Sequence, residues 1–138
     1  MQNDIVSEQI QNDFSALLDV FIASRATLLK KHDVLLPMAM ALDEYGKPQF
    51  IVLKPYDDAM QDMQTYLEEY RTMLNDQYRE NTAYLLGYDI TLKNNDEFTD
   101  GICCELTHIT GKYIRVAVPF SKNSLTNTIT LGDLVRFE

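Results

Sequence analysis

The 138-residue chain carries 21 acidic and 12 basic side chains, a formal net charge of −9, with a pI near 4.6. A surface this acidic repels phosphate backbones, because nucleic-acid affinity comes from neutralising phosphates with Lys and Arg; DNA, RNA and anionic membranes are disfavoured as partners. It suits a basic protein partner, or solubility alone.

A hydrophobic fraction of 46% and a charged fraction of 24% are ordinary globular values, which exclude global disorder. The length fits one domain spanning residues 1–138, able to hide roughly 70% of its unfolded surface without a metal or disulfide staple.

The opening MQNDIVSEQIQNDF lacks the basic start and apolar run of a secretory signal. No stretch approaches the ~20 apolar residues of a membrane span. Cys103 and Cys104 are sequence neighbours, which in a strand point to opposite faces and are poorly placed to pair with each other. Without a CxxC or a second pair, they read as reduced thiols, and the expected location is cytoplasmic.

Along the chain, Ile10, Phe14, Leu17, Leu18, Phe21, Leu28 and Leu29 recur at helical spacing and predict an amphipathic helix over 4–31. Its acids fall early and Arg25, Lys30 and Lys31 late, as the macrodipole favours. His32 follows as a residue suited to the helix C-terminus.

Leu35 to Leu42 reads as a strand that Pro37 confines to an edge or bulge at its start. The run Asp43 to Pro48 is a turn, and Gln49 to Leu53 returns as a second strand. Met38, Met40 and Leu42 share one face; Ala39 and Ala41 line the other, where small side chains let a helix approach closely.

Asp58 and Gln61 have capping-box spacing and predict a second helix running to about Arg79. Its stripe is Met60, Met63, Leu67, Tyr70 and Leu74, broadened by Tyr66, Met73 and Tyr78. Tyr and Met are common at adaptable contact surfaces, yet the same stripe serves a core. A long strand follows over 83–93. Next comes the densest β-branched and apolar stretch, GICCELTHITGKYIRVAVPF, a hairpin over 101–120 placed at the centre of the sheet. The stretch from Thr128 to Glu138 fits either a sixth strand or a helical turn.

The fold class is therefore α+β: two long amphipathic helices packed over an antiparallel sheet of about five strands, in the order α-β-β-α-β-β-β. That order is similar to the roadblock and profilin-like topologies, and the resemblance implies a scaffold or a sensor.

If Thr110-Gly111-Lys112 is the hairpin loop, Ile109 pairs with Tyr113 and His108 with Ile114. Ile102, Cys104, Leu106 and His108 then share a face with Ile114, Val116, Val118 and Phe120. Glu105 and Arg115 lie diagonally on the other face, within reach of a weak ion pair. Cys104 and His108 are four residues apart in one strand, ~13 Å, too far for a nucleophile–base pair.

Two histidines are too few for a typical His-rich metal site. The pairs Asp43-Glu44 and Asp57-Asp58 are turn and cap residues, and no phosphate-binding, EF-hand, HExxH or nucleophile-elbow motif is present.

The expectation is a small acidic cytosolic binding or interaction protein without catalysis, cofactor or metal, engaging a protein partner or a second copy as a homodimer. The alternative is a small-ligand sensor or enzyme with a pocket between sheet and helices near His108, with Tyr66 and Tyr70 as the other candidate ligand-binding residues.

Overall fold

A computed structural model describes residues 2–32, 35–51, 63–94, 97–123 and 125–137. It is an α+β fold with helix α1 (Gln2–Leu29), strands β1 (Met38–Leu42) and β2 (Pro48–Ile51), helix α2 (Met63–Gln77), and strands β3 (Ala83–Asn94), β4 (Glu97–His108), β5 (Tyr113–Asn123), β6 (Thr128–Leu131) and β7 (Val135–Phe137). The strands form one antiparallel sheet in the order β2-β1-β3-β4-β5-β6. Strand β7 joins the outer edge of β5 beside β6: Phe120 faces Leu131 in β6, and Val116 faces Arg136 in β7. The sheet thus has seven strands against about five expected. The difference lies in the last eleven residues, too short and polar to show a period.

The helices cover opposite faces. On one, Phe14, Leu17, Phe21 and Leu29 of α1 pack against Met40, Leu42, Leu85, Ile102, Cys104, Leu106, Val116 and Phe120. On the other, Leu67, Tyr70 and Leu74 of α2 pack against Ala39, Ala41, Leu86, Tyr88 and Cys103. The methionine and alanine faces of β1 divide as their alternation predicts. Gly87 explains how closely α1 sits: the Phe21 ring occupies the space that a Cβ there would need. The expected helix start at Asp58 and Gln61, with Asp57 and Met60, lies outside the described residues.

The first turn is built on Asp43. Its carboxylate accepts from the Tyr45 and Lys47 amides at 2.8 and 2.9 Å, which holds its pKa below the usual value, and Gly46 adopts a φ of +77°. In the central hairpin, Thr107 faces Tyr113 and Leu106 faces Ile114, so the loop is Ile109 to Lys112. The pairing differs from the expected one by two residues, because the His108 amide bonds Lys112 O and the Gly111 amide bonds His108 O. A shift of two keeps every side chain on its face, so the predicted core wall survives while the partners change. Glu105 lies directly opposite Arg115 rather than diagonal to it.

Among the described residues no helix is long and apolar enough to cross a membrane.

Candidate functional site

The described part of helix α2, Met63–Gln77, packs on β1, β3 and Cys103 of β4, and its Arg71 edge faces Glu105 of β4. A cleft of about 350 Å³ opens there between Arg71 and Leu74 of α2 and the outward residues of β3, β4 and β5: Tyr84 and Leu86, Glu105 and Thr107, Tyr113 and Arg115. Strand alternation puts all six sheet residues on this face, and the register sets Glu105 between Leu86 and Arg115.

Glu105 is the centre of the cleft's polar network, only 9% exposed. Arg71 reaches down from α2 and grips it with two hydrogen bonds, Nε to Oε1 at 3.1 Å and Nη2 to Oε2 at 2.6 Å. The Tyr88 hydroxyl donates to Oε2 at 2.6 Å. Burial works to raise the Glu105 pKa. The hydrogen bonds from Arg71 and Tyr88, with the charges of Arg71 and Arg115, outweigh it and hold the carboxyl below its ordinary value.

The partners are fixed by the same bonds. The hydrogen bond to Glu105 raises the Arg71 pKa, and burial together with the bond to Glu105 pushes the Tyr88 phenol up. Burial also pushes up the Cys103 thiol, which faces this side, and the Cys104 thiol, which faces α1. The cleft therefore offers a fixed carboxylate and fixed guanidinium groups, with the protonated Tyr88 phenol beneath them near neutral pH. Such groups hold a ligand more readily than they move protons.

Two cations bound the cleft. Arg71 keeps 40% of its side chain exposed, and no acceptor among the described residues takes its Nη1. Arg115 lies over the Phe137 ring at 5.2 Å, a cation–π contact that holds the guanidinium at the surface without neutralising it.

The residues singled out in the sequence divide between the two faces. His108 is buried on the α1 side, where its Nε2 lies 2.8 Å from Asp13 Oδ2 and its Nδ1 lies 3.0 Å from Thr110 Oγ1. The Thr110 amide also donates to Nδ1 at 3.3 Å, so the ring proton sits on Nε2 and is donated to Asp13. Phe14 meets the imidazole edge-on at 5.8 Å. This arrangement ties α1 to the end of the central hairpin.

Tyr66 and Tyr70 lie on the other side of the sheet, their rings 5.5 Å apart, with Tyr70 buried. The structure does not bring His108 together with them. Among the described residues, no group of three His, Cys, Asp or Glu side chains is placed to hold a metal ion.

Sequence reasoning missed Arg71 and Asp13, which come from helices remote in sequence from their partners; it matched Glu105 with Arg115, whose charge does act on it, but not with Arg71, which grips it. It also missed Arg25, which is fully buried. Its guanidinium donates to Leu36 O at 2.6 Å and forms an ion pair with Asp89 at 3.0 Å. A signal was present: Arg25 falls four residues after Phe21 and four before Leu29, inside the apolar stripe. Burial raises the Asp89 pKa, and the charge and hydrogen bond of Arg25 offset only part of that.

Searches against protein-family models, curated proteins and solved structures find no match for this chain. The resemblance to roadblock and profilin-like topologies therefore rests on element order alone.

Proposed function

We propose that this chain is a non-catalytic binding protein of the cytoplasm, and that the α2-side cleft takes a small anionic ligand. One observation carries the reading. In a chain of net charge −9, two arginines flank one cleft, and the carboxylate between them is already held by Arg71 and Tyr88. An entering anion meets the spare edge of Arg71 and the guanidinium of Arg115. Thr107, Tyr84 and Tyr113 line the same space, where they supply hydroxyl donors and flat apolar surface.

The acidity of the remaining surface supports a small ligand or a protein partner over a nucleic acid. Its two buried free thiols fit a reducing compartment.

Thermal unfolding with added phenyl phosphate, benzoate or inorganic phosphate tests the proposal. A ligand that binds only the folded chain raises Tm as its concentration passes Kd. Phenyl phosphate is expected to stabilise the wild type and to lose that effect in Arg115→Gln, whose side chain is exposed. Equal shifts in the two proteins, or none in the wild type with any anion, would remove the cleft as a binding site.

A further inference from the structure

The opposite face holds a second and chemically different hollow. Along the β5 flank of α1, Ile10, Phe14, Leu18 and Ile22 recur every four residues, a row about 18 Å long at the helical rise. Val116 and Val118 of β5 form the facing wall. Two hollows of about 560 and 460 Å³ share Ser15, Leu18 and Leu134 in their linings, so they form one groove. Leu131 and Leu134 stand at its mouth, 42% and 50% exposed.

The groove is charged unevenly. Lys112 and Arg136 line the part beside Ile10, and among the described residues neither has a carboxylate within ion-pair distance. The other part contains Asp19. Elsewhere the chain carries an excess of acids, so two unneutralised cations at one end of an apolar trough select an anion attached to apolar matter. Each hollow falls within the usual range for small-ligand pockets, ~300–1,000 Å³.

We propose that this groove binds a single-chain amphiphile with an anionic head, its carboxylate on Lys112 and Arg136 and its alkyl chain lying along Leu18 toward Ile22 and Val118. The Arg71 cleft lies across the sheet and involves none of these residues, so either site can fail without the other.

Calorimetric titration of the full chain with decanoate, kept below its micelle concentration, is the test, with 1-decanol and decyltrimethylammonium as head-group controls. Decanoate is expected to saturate at one per chain. Each methylene removed should weaken binding, by at most roughly fourfold.

The double variant Lys112→Ser/Arg136→Ser should lose the preference for decanoate over decanol yet keep the dependence on chain length. Leu134→Glu, at an exposed position, should abolish binding of both without lowering Tm. Equal affinity for all three head groups, no saturable binding, or binding unchanged in Leu134→Glu overturns the proposal. So does a concentration-dependent dimer that Leu134→Glu dissociates in the absence of amphiphile, which would assign the groove to a second copy of this chain.

Discussion

The two faces of the sheet are covered by different helices, and the polar groups on each face differ. Helix α1 has 28 residues, about 42 Å of cylinder, whereas the described part of α2 has 15, about 22 Å. Under α1 the polar groups act as ties. Arg25 binds the carbonyls of Leu35 and Leu36 and the Asp89 carboxylate, and His108 binds Asp13. Under α2 the Glu105 network stands at the rim of an open cleft with Arg71 partly in water. A buried charge is tolerated only when fully partnered, so the closed side has to satisfy its polar groups internally. The open side can leave a donor spare for a ligand.

The largest expected effect tests whether that contrast is energetic as well as geometric. Arg25→Leu strips a fully buried cation from three acceptors. It should cost about 3–5 kcal/mol in urea unfolding, the range for breaking a buried pair by removing one partner. Arg71→Leu removes a half-exposed partner and should cost less, about 1–2 kcal/mol, since water can reach the groups left behind. If the two losses were equal, the distinction between a closed and an open side would collapse.

Next in size is the close approach of α1. Gly87→Ala places a methyl where the Phe21 ring lies, and overpacking of this kind costs about 1–3 kcal/mol. Phe21→Leu in the same chain should recover part of the loss, because a smaller side chain restores the space. A double variant no more stable than Gly87→Ala alone would mean that the contact does not set the helix-to-sheet distance.

Most of this architecture was legible in the sequence because it rests on period. The seven-residue recurrence of Phe14 and Phe21 and the alternation through β1, β3 and β4 placed each side chain on its face before any partner was known. What escaped detection depends on meetings between remote segments. The turn hydrogen bonds of His108 and Gly111 moved the hairpin register by two residues, which alternation cannot detect because faces repeat every second residue. Arg71 and Asp13 look like solvated helix residues until the fold brings Glu105 and His108 beneath them. Arg25 was the missed opportunity, a charge inside an apolar stripe where Asp89 also breaks the alternation of β3.

A smaller effect separates the faces by pH. The folded pKa of Glu105 lies below its ordinary 4.5. Its ionised form therefore stabilises the fold fully above the unfolded value, and that contribution is lost as pH falls below 4.5 through the folded pKa. Glu105→Gln should lower Tm at pH 7 and have a shallower decline than wild type in that acid window. Parallel curves would show that the network contributes no pH-dependent stability.

The smallest effect reads the two faces through adjacent atoms. Cys103, 2% exposed, lines a hollow on the α2 side together with Tyr88 and Arg115, whereas Cys104 lies beneath α1 at 0% exposure. Burial raises both thiol pKa values. At Cys103 the rise is opposed by the charges of Arg115 and Arg71. Thiolate is the reactive form, and each unit of pKa changes its fraction about tenfold. Native-state iodoacetamide labelling of Cys104→Ala, which keeps Cys103, should therefore outpace labelling of Cys103→Ala, which keeps Cys104. Reaction at Cys104 should require opening of the α1 side and slow in proportion to global stability, while Cys103 should respond to local opening at its hollow on the α2 side. Equal rates would mean that one opening event exposes both faces, making the difference between them one of shape alone.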